Sequence, residues 1–200
     1  MSISGIILAA GQSSRLGRPK QLLPLAGRPL LAHVVAHAAA SGLDETILVL
    51  GHEAAAIAAA LGNHGQRTVI NPDYAAGQST SVRAGLAAVS PQTNAVVFLL
   101  GDQPAVTVDI IDAMLDTYRV HRSGIVVPAY GGRRGNPVLF DRAVFPELRQ
   151  VTGDEGARAI VRAHAESIRL VAVPGDAPQD VDTEADYQRL LASWPGGGGG

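Results

Sequence analysis

The stretch Gly5-Ile6-Ile7-Leu8-Ala9-Ala10-Gly11-Gln12-Ser13-Ser14-Arg15-Leu16-Gly17-Arg18-Pro19-Lys20 decides how the rest of the chain is read. Its apolar head, Ile6 to Ala9, is too short to span a membrane and reads as a buried strand. The strand empties into a loop holding Gly11, Ser13, Ser14, Arg15, Gly17, Arg18 and Lys20. Glycines let successive backbone N–H groups converge on one point, and the arginines and lysine add positive charge to it, so the loop suits a polyphosphate. Two better-known phosphate loops are excluded. Five residues separate Gly11 from Gly17, and Lys20 is followed by Gln21, so the G-x-x-x-x-G-K-[ST] spacing fails. Gln12 to Arg15 also breaks the tight G-x-G-x-x-G spacing of a dinucleotide fingerprint.

Two hundred residues with 46% hydrophobic content suffice for one domain with a real core. A net charge of −2 gives no general attraction to nucleic acid or to an acidic membrane, so any basic function is local. The absence of cysteine removes disulfides and thiolate metal sites and fits a cytosolic protein. The N-terminus has no basic n-region, and its apolar run is shorter than a signal-peptide core, so a cytoplasmic protein is expected. Residues 1–194 read as one domain and 195–200 as a glycine-rich tail that can bury nothing.

Outward from the loop, Gln21 to Leu25 is expected to be extended. Pro29 suits the first position of a helix whose apolar residues Leu30, Leu31, Val34, Val35 and Ala38 recur at helical spacing. Thr46–Leu50 is a second strand, an alanine-rich helix follows from Gly51-His52 to Gly62, and Arg67–Ile70 is a third strand. This alternation predicts parallel crossovers. The long segment from Asn71 to Gln78 leads into a helix at Ser79-Thr80-Ser81. Ser79 suits an N-cap there, which leaves Gln78, Ser81 and Arg83 to face a ligand. Ala95–Leu100, the most hydrophobic strand, discharges into Gly101-Asp102-Gln103-Pro104. A carboxylate at the carboxyl end of a central strand sits where a metal ion bridges to a phosphate on the first loop, and Thr107 is the better cap for the next helix. Ile125–Val127 is a strand, and the cationic turn Tyr130–Pro137 before Val138–Phe140 predicts a hairpin. Asp141 is expected to cap a short helix. A further helix opens at Gly153–Arg158, Ile168–Val173 is a late strand, and Thr183 with Asp186 has capping-box spacing. Since Thr183 does the capping, Asp182 is left as a second metal carboxylate.

Taken together, LAAGQSSRLGRPK, GQSTS, LLGDQP, RGNPVLF, GDEGAR and DVDT resemble, in order, the motifs of the MobA-like nucleotidyltransferases, and most closely the molybdenum cofactor cytidylyltransferase branch. The resemblance runs from Ile6 to about Leu191. It implies a single Rossmann-like, three-layer α/β domain with a mostly parallel central sheet and a small β-hairpin on the acceptor side. It implies an enzyme that uses Mg²⁺ to move CMP from CTP to the terminal phosphate of molybdopterin, releasing pyrophosphate, with GTP or another phosphorylated acceptor as the alternative. By motif, Leu8, Ala9, Ala10 and Gly11 hold the nucleotide, Arg15 and Lys20 meet its phosphates, and Gly77, Gln78, Ser79 and Ser81 lie near base and ribose. Asp102 ligates the metal with Asp182, for which Asp180 competes. Arg133, Arg134, Asn136 and Pro137 belong to the acceptor side. A molybdoenzyme client or a second copy of the chain is the implied protein partner. A non-catalytic nucleotide-binding module is a rival of a different class, against which the presence of both Lys20 and Asp102 argues.

Other polar residues read more plainly. His33 and His37 have metal-ligand spacing on a helix, but no Glu follows His33 and their neighbours are Val and Ala, so a packed or surface pair is expected. His52 is expected to cap the helix that follows it. For Arg158 an acceptor contact, a subunit contact and a solvated helix start stand side by side.

Overall fold

The computed structural model of the chain describes residues 1–62 and 64–195, so the run at 196–200 that makes up the expected tail lies outside the described residues. Strand Ser2–Leu8 (β1) is followed by a two-strand antiparallel hairpin, Pro24–Leu25 (β2) and Arg28–Pro29 (β3), and by helix Leu30–Ala40 (α1). Then come Glu45–Leu50 (β4), Ala54–Leu61 (α2), Arg67–Ile70 (β5), Gln78–Ala88 (α3) and Thr93–Leu100 (β6). The second half comprises Val108–His121 (α4), Ile125–Tyr130 (β7), Arg133–Arg134 (β8), Val138–Asp141 (β9), Phe145–Leu148 (α5), Arg158–Ala163 (α6), Ile168–Val173 (β10) and Glu184–Ser193 (α7).

The main sheet runs β10-β7-β9-β6-β1-β4-β5, with β8 paired to β7. Its pairings are parallel except where β9 joins β6 and β7 and where β8 joins β7. From β1 the chain first builds outward through β4 and β5, then returns to lay β6 on the other side of β1. The order therefore reverses between β1 and β6, and a crevice opens at their carboxyl ends.

Both faces of the sheet are covered, which explains the unbroken apolar run Ile47-Leu48-Val49-Leu50, all fully buried. Successive side chains alternate across the pleat. Ile7, Leu48 and Leu50 pack with Leu31, Val35, Ile57, Met114 and Leu115 on one face. Ile6, Ile47 and Val49 pack with Val82, Leu86, Phe145, Leu148 and Ile160 on the other. A smaller cluster sets Val181 and Tyr187 over Leu23, Leu25 and Leu30, so the C-terminal segment is fastened to the N-terminal hairpin.

Several expectations are corrected. Lys20–Leu22 forms a 3₁₀ turn, not extended chain, and only Pro24–Leu25 is a strand. Pro29 ends β3 and stands at the N-cap position, one residue before the helix. Ser79 lies inside α3, whose N-cap position is Gly77, because φ of +108° there suits glycine. Thr107 occupies the N-cap position of α4 without a side-chain cap bond. Glu53, not His52, precedes α2. Asp141 caps the turn at Ala143 as expected, and the Thr183–Asp186 capping box is present. The turn between β7 and β8 is formed by Gly131 and Gly132, both at positive φ, the hairpin geometry that follows strand twist.

Helix α3 sits close to the sheet because Gly85 has no side chain. A Cβ there would lie 2.4 Å from Ile6 Cγ2 and 3.1 Å from Val49 Cγ2. Ile6 is fully buried on a central strand and cannot retreat. Gly85→Ala is expected to destabilise the chain by about 1–3 kcal/mol in urea denaturation, although alanine is the better helix former by roughly 1 kcal/mol.

At the other end of the strands Glu45 Oε1 accepts from Ser4 Oγ (2.6 Å), Ser90 N (2.8 Å) and Thr93 Oγ1 (3.2 Å), tying β4 to β1 and β6. Burial raises this carboxyl, but the bonds from Ser4, Ser90 and Thr93, with Arg67 nearby, outweigh it and hold the acid below its usual range. A depressed folded value stabilises the fold above the unfolded pKa of about 4.3, and that contribution is lost as pH falls through the folded value. Wild-type stability should therefore fall more steeply below about pH 4.5 than that of Glu45→Gln, as read from urea midpoints across pH.

Candidate active site

The loop after β1 is closed on itself by one side chain. Gln21 is buried, and its Nε2 donates to the carbonyls of Ala9 (2.9 Å) and Gly11 (3.2 Å). Ser13 Oγ donates to Gln21 Oε1 (3.5 Å) and accepts from the Lys20 backbone N–H (3.1 Å). With those carbonyls occupied, the backbone N–H groups of Ala10, Gly11, Gln12, Ser13 and Ser14 take no acceptor among the described residues. All five residues line one cavity of about 560 Å³. A run of free N–H donors at the end of a central strand is an anion cradle.

Strand β6 delivers Asp102 to the same cavity. The Gly101 N–H donates to Leu8 O (2.9 Å), and a Cβ at Gly101 would fall 2.8 Å from that of Ala9, so only glycine lets the two strand ends close. The Lys20 ammonium lies 2.5 Å from Asp102 Oδ2 and 2.8 Å from Asp182 Oδ1. Arg15, at the exposed rim, donates to Asp182 Oδ2 (3.2 Å). Burial works against the charge on Lys20, but Asp102 first and Asp182 second more than restore it, so its pKa is raised. The Asp182 acid is held low, chiefly by the Lys20 hydrogen bond.

The neighbouring Asp180 is pushed up by burial and by Asp102, against the Gln103 amide that donates to it at 2.7 Å. Gln103 is buried and also donates to Pro178 O (3.3 Å). It therefore fixes the 178–182 segment, a role that its place in the GDQP motif did not reveal.

A third wall comes from the start of α3. Gln78 and Ser81 line the cavity, with Asn71 Nδ2 donating to Ser81 Oγ (3.0 Å) and Thr80 Oγ1 (2.8 Å). Ser79 is buried outside the lining; its backbone N–H donates to Gly153 O (3.1 Å). Arg83 donates to Val151 O, which removes it from ligand contact. Tyr74 reaches the cavity because Gly51 lacks a Cβ, which would lie 2.7 Å from the tyrosine side chain. His52 faces the Tyr74 hydroxyl at 3.4 Å.

Of the residues expected at the site, Leu8, Ala9, Ala10, Gly11, Lys20, Gly77, Gln78, Ser81, Asp102 and Asp182 line this one cavity. Sequence reading missed Gln21 and Tyr74 as lining residues, and only the capacity of glutamine to bridge two carbonyls hints at the first. The acceptor-side set is not brought to the cavity. Arg133 and Arg134 stand exposed in β8, Arg134 donates to Ala165 O (2.9 Å), and Asn136 O accepts from the Tyr130 hydroxyl, ahead of a cis bond to Pro137. Arg133 and Arg134 pair with β7, Asn136 and Pro137 lead into β9, and none of the four lines the cavity.

His33 and His37 are packed. His33 Nε2 bonds Leu25 O (2.7 Å) and its ring meets Trp194, while His37 Nδ1 bonds Val106 O (2.8 Å) and burial lowers its pKa. No group of three or more His, Asp or Glu side chains suited to a metal occurs among the described residues. The carboxylate pair Asp102 and Asp182 nonetheless fits a divalent cation, because their oxygens already converge on one positive centre, the Lys20 ammonium.

A switch-point crevice that joins free backbone donors, a lysine and a carboxylate pair defines an α/β protein of the nucleotide-handling class. The chain belongs to the family of the MobA-like NTP transferase domain, whose model matches residues 5–168, and is a nucleotidyltransferase of that family. It is 34% identical to nicotine blue oxidoreductase of Paenarthrobacter nicotinovorans, over 94% of this chain and 96% of that one. It is 32% identical to molybdenum cofactor cytidylyltransferase of Escherichia coli K12, over 93% and 94% respectively. The structure of Rv0371c from Mycobacterium tuberculosis H37Rv is similar with a TM-score of 0.88 and 39% identity, covering 96% of this chain and 99% of that one. Rv0371c has also been solved in complex with manganese. Among the described residues no helix is long and apolar enough to cross a membrane.

Gln21→Ala should leave two carbonyls without their donor and let the cradle open. The expected result in titration calorimetry is a roughly tenfold or greater loss of nucleoside triphosphate affinity, corresponding to one to two hydrogen bonds' worth of lost preorganisation.

Proposed function

We propose that the chain transfers CMP from CTP to the terminal phosphate of molybdopterin and releases pyrophosphate. The observation that carries the reading is Lys20, held between Asp102 and Asp182 beside five free backbone N–H donors. The LAAG form and GRPK, with two residues between Gly17 and Lys20, together with the similarity to the E. coli cytidylyltransferase over nearly its full length, support the choice of base and acceptor.

In this reading the N–H groups of Ala10 to Ser14 and the side chains of Lys20 and Arg15 take up the triphosphate, with Lys20 and Arg15 meeting charge that grows on the β and γ oxygens. Gly77, Gln78 and Ser81 border base and ribose, and buried Ser79 supports them through its backbone bond to Gly153. An oxygen of the acceptor phosphate forms a bond to the α-phosphorus, the α–β bridging P–O bond breaks, and pyrophosphate leaves with its electron pair. The acceptor is already ionised near neutral pH, so no side chain need remove a proton. Asp102 and Asp182 would hold Mg²⁺, which when bound supplies Lewis-acid polarisation of the α-phosphoryl group and charge neutralisation on the leaving group. Arg133 and Arg134 with Asn136 and Pro137 meet only the part of the acceptor that extends past the cavity.

The test is pyrophosphate release from CTP, GTP, ATP and UTP with Mg²⁺ and molybdenum cofactor. Turnover with CTP is expected; turnover with GTP alone would reassign the base, and nucleotide binding without release in any combination would make the chain a binding module. Lys20→Ala and Asp102→Ala are each expected to lower turnover by roughly 10²-fold or more, with circular dichroism unchanged. Wild-type rates in either variant would sink the assignment.

A further inference from the structure

The cavity contains one arginine that nothing above has used. Arg158 stands at the start of α6 and lines the cavity, together with Asp154 of the same loop. The loop is fastened to the start of α3 by one hydrogen bond and seated closely against it at two glycines. The Ser79 N–H donates to Gly153 O, a Cβ at Gly77 would lie 2.7 Å from the Gly153 carbonyl, and a Cβ at Gly156 would lie 2.7 Å from Gln78 Oε1. Two glycines with positive φ, Gly77 and Gly156, thus allow a close seat between the segment that borders the nucleotide and the one that carries Arg158.

In the nucleotidyl-transfer reading Lys20, which lines the cavity, and Arg15 at its rim already serve the triphosphate. Lys20 is bonded to Asp102 and Asp182, and Arg15 to Asp182. Nearby Arg162 holds Glu155, and Asp154 Oδ1 lies against the Gly77 position. The Arg158 side chain has no hydrogen bond or ion pair among the described residues. The reaction brings together two anions, a triphosphate and a phosphate monoester, in a cavity that also contains Asp102, Asp154, Asp180 and Asp182. A second anion needs a cation that the first does not use, and a guanidinium offers a planar fork for a phosphate.

We infer that Arg158 binds the phosphate monoester of the acceptor, so that the acceptor-phosphate subsite lies on the Gly153–Arg158 loop and not on the β8 hairpin. The inference rests on the nucleotidyl-transfer reading and adds the residue and the side of entry for its second substrate.

The experiment compares wild type, Arg158→Ala and Arg158→Lys with CTP and molybdenum cofactor varied separately. The expected result for Arg158→Ala is a KM for molybdenum cofactor about tenfold higher or more, with CTP affinity by calorimetry unchanged and partial recovery in Arg158→Lys. Loss of CTP affinity instead would mean that Arg158 belongs to the triphosphate, and unchanged constants for both substrates would leave it no role; either overturns the proposal. Should wild type turn over no nucleotide at all, the proposed function fails by itself, and the subsite is then tested with inorganic phosphate as the probe. Phosphate is expected to slow phenylglyoxal modification of Arg158 in the CTP-loaded chain, followed by peptide mass spectrometry. Absence of that protection overturns the subsite.

Discussion

The structure depends on a single ammonium group shared by two carboxylates. Lys20 joins the end of the first loop to Asp102, 82 positions on, and to Asp182, 162 positions on. Lys20 and Asp102 are mostly buried, so their attraction is poorly screened, and either one alone would be a costly charge to leave without its partner. The Asp180 acid is pushed up, first by burial and then by the neighbouring Asp102. A site that concentrates carboxylates in this way is tolerable only with a cation at its centre, and it is correspondingly suited to exchange that cation's company for metal and phosphate.

Around this centre the chain uses absent side chains as positioning devices. Gly101 lets the ends of β1 and β6 meet, Gly51 admits Tyr74, Gly77 and Gly156 seat the 153–158 loop, and Gly85 lowers α3 onto the sheet. At each of them a Cβ would lie within 2.8 Å of a neighbouring atom. The polar counterpart is Gln21, which takes the carbonyls of Ala9 and Gly11 so that the loop's N–H groups remain for an anion. Gln103 does the same service for the segment that carries Asp180 and Asp182.

The similarity to a chain named nicotine blue oxidoreductase and to one named molybdenum cofactor cytidylyltransferase, at comparable identity and full length, separates what the fold supplies from what the site decides. The sheet and its switch point supply a cradle of free backbone N–H donors beside Lys20, Asp102 and Asp182. Loops 71–78 and 153–158 add side chains that face the cavity from outside the sheet, where specificity can vary without change to the fold.

The alternation of strands and helices was legible from the residues alone, because buried strands depend on local pattern, and so was the meeting of Lys20 and Asp102 at one cavity. The capping box at Thr183 and the strand Ile168–Val173 were read to the residue for the same reason. Legibility stopped where a residue's role depends on a partner far along the chain. Nothing adjacent to Arg83 announces that Val151 holds it, nothing near Arg134 announces Ala165, and the extended reading of Gln21 failed because its partners are carbonyls ten and twelve positions back. Local physics settled the elements; only the tertiary structure decided which charges are paired with one another and which, like Arg158, are left facing the cavity, since pairing between side chains is a property of distance in space and not of distance along the chain.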